Sequence, residues 1–378
     1  MSDRMDGATE RLEGLLRRLV GRGPIVQAVV AVESGDRAFR WAGAEGLTAA
    51  GRHVTAETPF FIASMDKLYN ATIALMLSEG GRLDLDEPIT AFLPSTITRG
   101  LHRYRGEDLS GRITVRHLLT HTSGLADWLE DYPKGGPSLI EQILAEGDKR
   151  LTLEEIVAHV RDHLRPHFPP QDLAGGHPRV RYSDTNYLLV VAIIEAVTGE
   201  PLHEVHRRLF HEPLGLRQTG FAGAEARPAP DLMVLRAGGE PLAIPRLIES
   251  VRGIYSSAGD MIAFMRALMG GELFRRPETL PTMLGGWHRF GFPRDRGALR
   301  APGWPIEYGT GVMRFRLPRL FSPMAPAPSV LGHTGSTGCW LFYCPELDMF
   351  LAGSVDEVTA GAVPFRTVPR ILKILREA

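Results

Sequence analysis

The sequence predicts an α+β protein, and three patterns along the chain lead to this prediction. Residues 25–43 combine two apolar segments with a Ser34-Gly35-Asp36 turn, which is typical of a strand hairpin. Helical periodicity dominates residues 83–249, and strand patterns return over residues 308–355. Both ends of the chain therefore contribute strands, whereas the middle contributes helices.

This distribution predicts two lobes. We expect residues 1–82 and 251–378 to form one lobe of strands and helices, and residues 83–250 to form a mainly helical lobe. A chain of 378 residues is long enough for either one large two-lobed unit or two ordinary domains.

The individual elements follow from local patterns. Residues 1–15 alternate charges with leucine and predict an amphipathic helix, and a helix that begins at Ser64 is expected to end at Gly80-Gly81. Further helices are predicted over residues 115–119, 153–163, 186–197, 258–269 and 369–377. The later strands are predicted over residues 308–315, 329–333, 338–343 and 349–355.

Composition excludes several classes of protein. Hydrophobic residues make up 44% of the chain and the net charge is −1, which favours a globular protein without a nucleic-acid partner. No apolar stretch reaches membrane-spanning length, and residues 1–15 lack the continuous apolar run of a signal peptide, so a cytoplasmic protein without a membrane partner is expected. Cys339 and Cys344 would face opposite sides of one strand, which argues against a disulfide.

The first motif whose residues could support catalysis is Ser64-Met65-Asp66-Lys67. Side chains three residues apart share one helix face, so Lys67 can lie beside the Ser64 hydroxyl and activate it, provided that its pKa is lowered. Only four lysines occur in the chain, and Lys67 alone follows a serine by three positions. The alternative is an exposed lysine on a surface helix. Asp66 suits the first turn of a helix.

The second motif is Tyr182-Ser183-Asp184, directly before a predicted helix. A phenol whose pKa is lowered by adjacent cations can carry a proton between nucleophile and leaving group. The alternative is a tyrosine that packs at a helix start capped by Ser183 or Asp184.

The third motif, His333-Thr334-Gly335-Ser336, lies within strand-forming sequence. Glycine allows close approach of another backbone, and a strand N–H can join that of Ser64 in binding an oxyanion. An ordinary bulge or turn is the alternative.

Taken in order, the three motifs resemble those of the serine β-lactamase and penicillin-binding-protein superfamily, in particular its branch of class C β-lactamases, D-Ala-D-Ala peptidases and family VIII carboxylesterases. The resemblance extends to residues 113–125 (ITVRHLLTHTSGL), 212–216 (EPLGL), 253–260 (GIYSSAGD) and 308–311, and thus spans most of the chain. It implies the β-lactamase/transpeptidase-like fold, in which helices flank an antiparallel sheet and a second lobe is all-helical.

The resemblance also implies roles for individual residues. Ser64 would be the nucleophile, Lys67 and Tyr182 the general acid and base, and the N–H groups of Ser64 and Ser336 the oxyanion hole. The positions that would bind substrate are Asp184, His333, Thr334 and Gly335.

Two of these positions depart from the family pattern. His333 stands where lysine is frequent, and a histidine is only partly charged near neutral pH, so binding of an anionic substrate is not assured. Asp184 stands where β-lactamases usually carry asparagine, and a carboxylate cannot donate to a substrate amide. If Asp184 lies near Lys67, it favours the ammonium form and moves the base role toward Tyr182.

These residues predict a serine hydrolase that forms an acyl-enzyme, with short-chain acyl esters as the leading substrates. D-amino-acid peptides or amides and β-lactams are alternative substrates, and a non-catalytic binding protein is a further alternative. No metal or organic cofactor is expected, because the His117/His121 and His163/His167 pairs lack the rest of a zinc motif. The sequence does not predict the oligomeric state.

Overall fold

The computed structural model describes residues 2–21, 23–224, 230–316 and 328–377, and an eight-stranded antiparallel sheet organises this part of the chain. Its strand order is β10-β11-β12-β13-β14-β15-β1-β2. The strands are β1 (Ala28–Ser34), β2 (Arg40–Glu45), β10 (His288–Arg289), β11 (Glu307–Tyr308), β12 (Met313–Phe315), β13 (Val330–Gly335), β14 (Cys339–Cys344) and β15 (Met349–Val355).

Short strands form three smaller sheets. The first has the order β3-β9-β6, and the other two are the pairs β4-β5 and β7-β8. Their bounds are β3 (Phe60–Phe61), β4 (Arg103–Tyr104), β5 (Glu107–Asp108), β6 (Gly220–Phe221), β7 (Arg236–Ala237), β8 (Glu240–Pro241) and β9 (Ile254–Ser256). β3 ends three residues before Ser64, so this small sheet fixes the position of the chain where the first motif begins.

Helices cover both faces of the large sheet and form the middle of the chain. They are α1 (Ser2–Leu19), α2 (Asp66–Glu79), α3 (Ser95–Thr98), α4 (Val115–Leu119), α5 (Leu139–Glu146), α6 (Leu153–His163), α7 (Asp184–Thr198), α8 (Leu202–His206), α9 (Glu212–Leu214), α10 (Pro245–Ser250), α11 (Ala258–Met269), α12 (Thr279–Met283), α13 (Arg296–Arg300) and α14 (Val363–Arg376). α1 and α14 pack together on one face of the sheet, and α11 packs on the other.

Burial explains this arrangement. α1 and α14 are amphipathic and bury leucines such as Leu12 and Leu372 against the sheet. α2 instead buries every residue from Lys67 to Leu75, because other elements surround it, among them α7, α12 and β13. A charged side chain in the first turn of such a helix lies within the protein interior rather than on its surface.

The predicted fold is confirmed, and several predicted elements coincide with observed ones, including α4, α6, α11 and β15. The single strand predicted over residues 308–315 is wrong. The chain turns between β11 and β12, where Gly311 has a φ of +75° and a Cβ would lie 2.2 Å from Ala71 Cβ. The lobe boundaries stay a prediction.

The predicted start of the last helix at Pro369 is also wrong, because α14 begins at Val363 and contains Pro369 in its interior. A proline inside a helix costs about 3 kcal/mol. Val368, Ile371 and Leu372 lie fully or almost fully buried against the sheet, and this packing offsets the cost.

Both cysteines are buried free thiols. Cys339 packs on the α11 side of the sheet and Cys344 on the side of α1 and α14, as alternation along β14 requires. Within the described ranges, no helix is long and apolar enough to cross a membrane. The cytoplasmic location stays a prediction.

Candidate active site

The nucleophile candidate Ser64 lies in a tight turn before α2 rather than at the helix start that the sequence predicts. Residues Ala63–Met65 form one 3₁₀ turn, and α2 begins at Asp66. Ala63 has a φ of +43°, a left-handed conformation that is strained for a residue with a Cβ. Ser64 is half-buried in this turn, directly before the first turn of α2.

Lys67 is buried directly below this serine. Its Nζ donates a hydrogen bond to Ser64 Oγ at 3.2 Å and forms an ion pair with Asp184 Oδ1 at 2.7 Å. A second carboxylate oxygen, Asp66 Oδ1, lies 3.7 Å from the same nitrogen. The three side chains therefore place one cation between the nucleophile and two acids.

The charge state of Lys67 follows from these neighbours. Burial lowers its pKa, but Asp184, Tyr182 and Asp66 favour the ammonium more strongly and hold the pKa well above its usual value. The lowered pKa that would make Lys67 a base is not observed. Asp184 lies near Lys67 and favours the ammonium, as the sequence analysis anticipates.

Tyr182 precedes α7, whose first turn is anchored to the segment after α4. The hydroxyls of Ser183 and Thr185 both donate to Ala126 O, at 3.0 and 2.7 Å, and the Asp184 N–H donates to Asp127 Oδ2 at 2.8 Å. These contacts bring Tyr182 and Asp184 to Lys67, whose Nζ lies 5.3 Å from the centre of the Tyr182 ring.

The Tyr182 hydroxyl is buried and has no hydrogen-bond partner of good geometry among the described residues. Burial raises the pKa of Tyr182 well above its usual value, although Lys67 and Ser64 offset part of this effect. The expectation of a lowered tyrosine pKa is wrong, because the loss of hydration outweighs the attraction of the ammonium. Tyr182 is a neutral phenol that can donate a proton.

The end of β13, which carries the third motif, contacts the turn that contains Ser64. A Cβ on Gly335 would lie 2.7 Å from Ile62 O, so only glycine allows the two backbones to approach this closely. Thr337 Oγ1 donates to Phe61 O at 2.8 Å and ties the following turn to the same segment. Ser336, between Gly335 and Thr337, is exposed beside the turn that contains Ser64.

His333 is fully buried on β13 and hydrogen-bonded through both ring nitrogens. Nδ1 lies 2.6 Å from Thr334 O and therefore donates, whereas Nε2 accepts from the Tyr308 hydroxyl at 3.2 Å. Burial and the charge of Lys67 lower the pKa of His333 to about 3. His333 is therefore neutral and supplies no cation to a substrate carboxylate.

The sequence analysis does not assign His121 to the site, but the structure places it there. Its ring lies 4.5 Å from that of Tyr182 and 4.6 Å from that of Tyr308, between centroids. Nδ1 accepts from Asn186 Nδ2 at 3.0 Å and from the Ser183 N–H, and burial lowers the pKa of His121 well below its usual value. Its position in residues 113–125, which carry the family resemblance, is the available signal.

At least one histidine of each pair with metal-ligand spacing has a protein partner. His117 Nε2 lies 2.6 Å from Gln171 O, and His167 Nε2 lies 2.7 Å from Asp131 Oδ2. No group of three or more His, Cys, Asp or Glu side chains in the described ranges could hold a metal ion.

Comparison with known proteins agrees with this geometry. The sequence profile of the Beta-lactamase family matches residues 12–362. The chain belongs to the β-lactamase family. Relatives in this family include an esterase and a carboxypeptidase, and this chain is a serine hydrolase of the same family.

Two sequence relatives and one solved structure illustrate the range of the family. Esterase EstB of Burkholderia gladioli is 30% identical over 79% of this chain and 76% of its own length. D-alanyl-D-alanine-carboxypeptidase/endopeptidase AmpH of Escherichia coli (strain K12) is 23% identical over 90% of this chain and 80% of its own length. The D-amino acid amidase from Ochrobactrum anthropi SV3 shares the β-lactamase-family fold, with a TM-score of 0.74 and 23% identity over 96% of this chain and 99% of that one.

Proposed function

We propose that this hydrolase is a carboxylesterase that acts on short-chain acyl esters through an acyl-enzyme on Ser64. The observation that carries the proposal is the neutral, fully buried His333, whose ring nitrogens are both used within the protein. A site without a cation at this position has no anchor for the carboxylate of a penicillin or of a peptide C-terminus. An ester needs no such anchor, and similarity to an esterase supports this substrate class.

In the proposed reaction Ser64 Oγ attacks the ester carbonyl, and the backbone N–H groups of Ser64 and Ser336 bind the oxyanion. Support for this pairing comes from Gly335, which brings the end of β13 within contact of the turn that carries Ser64. Loss of one oxyanion donor typically costs a factor of about 10²–10³ in kcat.

Tyr182 and Lys67 are proposed to move the protons. The neutral phenol of Tyr182 donates to the departing alkoxide, and the Lys67 ammonium restores that proton. Water then attacks the acyl-enzyme and releases the acid. Asp184 and the strand edge formed by His333, Thr334 and Gly335 are proposed to bind the substrate. The backbone of residues 333–335 lies along the acyl group in this proposal, since the His333 side chain is buried.

A second candidate is hydrolysis of D-amino-acid amides, which the acidic surroundings of Asp184 favour. Asp184 is partly exposed, with 24% of its side chain accessible, and burial together with the Asp184 charge raises the pKa values of both Asp127 and Glu130. A cluster of acids at a cleft can hold the free ammonium of an amino-acid amide. The fold shared with the D-amino acid amidase is compatible with this candidate.

The deciding experiment compares four substrates: p-nitrophenyl butyrate, a chromogenic cephalosporin, a D-Ala-D-Ala peptide and D-phenylalanine amide. We expect turnover of the butyrate that Ser64→Ala abolishes without a change in melting temperature. Turnover of the amide alone would select the second candidate. Turnover of none of the four substrates would favour the non-catalytic binding protein over either enzyme.

A further inference from the structure

The arrangement around Lys67 leaves the Ser64 proton without an obvious acceptor. Ser64 reacts only when a base removes the proton from its hydroxyl. Its hydrogen-bond partner is Lys67 Nζ at 3.2 Å, and an ammonium has three protons and no lone pair. The proton acceptor must therefore be a group on the far side of Lys67 or another of the side chains around it.

The groups that face Lys67 come from every element packed around it. α2 contributes Asp66, and α7 and the residues before it contribute Asp184, Tyr182 and Tyr187. Burial and the Lys67 charge lower the pKa of both His121 and His333, and Tyr308 lies against these two rings. The two histidines use their acceptor nitrogens for other donors, and the three tyrosines are neutral phenols. Among these groups, all of them described residues, the two carboxylates alone can take a proton.

The two carboxylates differ in their distance from Lys67 Nζ. Asp184 Oδ1 lies 2.7 Å from Lys67 Nζ, within hydrogen-bond range, whereas Asp66 Oδ1 lies 3.7 Å away. Proton transfer needs a formed hydrogen bond, so the path from Ser64 leads through Lys67 to Asp184.

We propose that Asp184 stores the Ser64 proton, which reaches it through Lys67. As Ser64 Oγ forms its bond to the acyl carbon, its proton passes to Lys67 Nζ while Lys67 passes one of its own protons to Asp184 Oδ1. Lys67 has the same charge before and after, and Asp184 becomes a neutral acid. This inference rests on the serine-nucleophile part of the proposed function, and on no particular substrate.

The stored proton returns when the leaving group departs. The carbon–oxygen bond of the tetrahedral intermediate breaks, the alkoxide takes the Tyr182 proton, Lys67 reprotonates the phenolate, and Asp184 returns its proton to Lys67. The attacking water of deacylation gives up its proton by the same route, and that proton ends on Ser64 Oγ when the acyl bond breaks. One carboxylate thus serves both halves of the reaction.

The position of Asp184 suits this task. It is the first residue of α7, its backbone N–H is held by Asp127 Oδ2 at 2.8 Å, and its side chain is only partly exposed. The fixed backbone aims one carboxylate oxygen at Lys67. An asparagine at this position has the same shape but cannot accept a proton in this way.

The test is the rate at which a fluorophosphonate labels Ser64 as pH varies, because labelling needs the same proton removal as acylation. Ser64 Oγ bonds to phosphorus and fluoride leaves, so no knowledge of the natural substrate is required. We expect Asp184→Asn to slow labelling at pH 7 by about a hundredfold or more and to move the acid limb of the profile to higher pH. The limb moves because Lys67 must then lose a proton to solvent before it can act as a base.

Asp66→Asn is the matched control, since it removes the other negative charge near Lys67 but leaves the hydrogen bond to Asp184. We expect its labelling rate at pH 7 to stay within tenfold of wild type and its acid limb to stay in place. Equal shifts in the two variants would show an effect of charge alone and would overturn the proposal, as would an Asp184→Asn variant that labels as fast as wild type.

Chemical rescue gives an independent readout. Formate is expected to restore labelling of Asp184→Ala, whereas chloride at the same ionic strength is not, because only formate accepts a proton. Failure of formate in a variant with the wild-type melting temperature would contradict proton storage. A wild-type protein that is labelled but hydrolyses none of the four substrates would refute the proposed function and leave the relay standing.

Discussion

Asp66 is expected to lower the stability of the folded protein at neutral and alkaline pH. Its side chain is only 23% accessible, and Asp66 Oδ1 has no hydrogen-bond partner of good geometry in the described residues. Burial raises the pKa of this carboxyl to about 6, although the charge of Lys67 offsets part of the rise. The folded protein therefore holds a proton on Asp66 more tightly than the unfolded chain does.

The sign and size of the effect follow from linkage. Because the pKa is raised on folding, the contribution of Asp66 to the free energy of unfolding is fully present below pH 4 and is lost as the pH rises to about 6. The rise in the pKa of Asp66 from 3.8 to about 6 corresponds to a change of about 3 kcal/mol in the free energy of unfolding. Asp66→Asn removes the ionisation, so we expect the variant to be more stable than wild type by about this amount at pH 8 and equally stable near pH 4.

Urea denaturation followed by circular dichroism between pH 4 and pH 8 measures this difference. Asp86→Asn is the control, since a hydrogen bond from Arg116 lowers the pKa of the largely exposed Asp86 carboxyl. That variant is expected to be less stable than wild type at pH 8 by at most about 1 kcal/mol. A gain for Asp66→Asn that is absent at pH 8, or that stays constant across the pH range, would refute the reasoning.

Three further substitutions test the remaining parts of the site. Tyr182→Phe is expected to lower kcat on p-nitrophenyl butyrate by about 10²–10⁴ with little change in melting temperature, because the buried hydroxyl has no hydrogen-bond partner of good geometry among the described residues; wild-type kcat would contradict this. His333→Lys is expected to lower KM for a carboxylate-bearing ester relative to a neutral one, and parallel changes in the two KM values would count against it. Gly335→Ala places a Cβ 2.5 Å from Cys339 Sγ and 2.7 Å from Ile62 O, so urea titration should show a loss of about 1–3 kcal/mol and kcat should fall at least tenfold. An unchanged kcat would show that the end of β13 does not contribute to catalysis.

Local patterns predicted the elements whose shape depends on local sequence. α6 and α11 have the predicted bounds because each has a periodic apolar face and a threonine or serine cap. The bounds of the other elements depend on tertiary packing. The turn at Gly311 presses against α2, and burial of the apolar face of α14 outweighs the proline inside it.

The candidate site shows the same division. The three motifs predicted that Ser64, Lys67 and Tyr182 belong together, and the structure brings them together. The effect of Asp184 on Lys67 could be stated from the sequence only as a condition, because these two residues are far apart along the chain, and the burial that raises the pKa of Tyr182 is set by the fold. His121 was not assigned to the site because no motif with a chemical role contains it, and its position within residues 113–125 is the one signal that links it to the family.

The position of β1 has a consequence for synthesis on the ribosome. β1 is hydrogen-bonded along its whole length to β15, more than 300 positions later, and to β2 on its other side. Until residues 349–355 emerge, the apolar strand Ala28–Ser34 has one open edge, which is a template for aggregation. β13 meets the Ser64 turn only as this sheet forms, so a nascent chain acquires its reactive serine late in translation, when the strand edge is also closed.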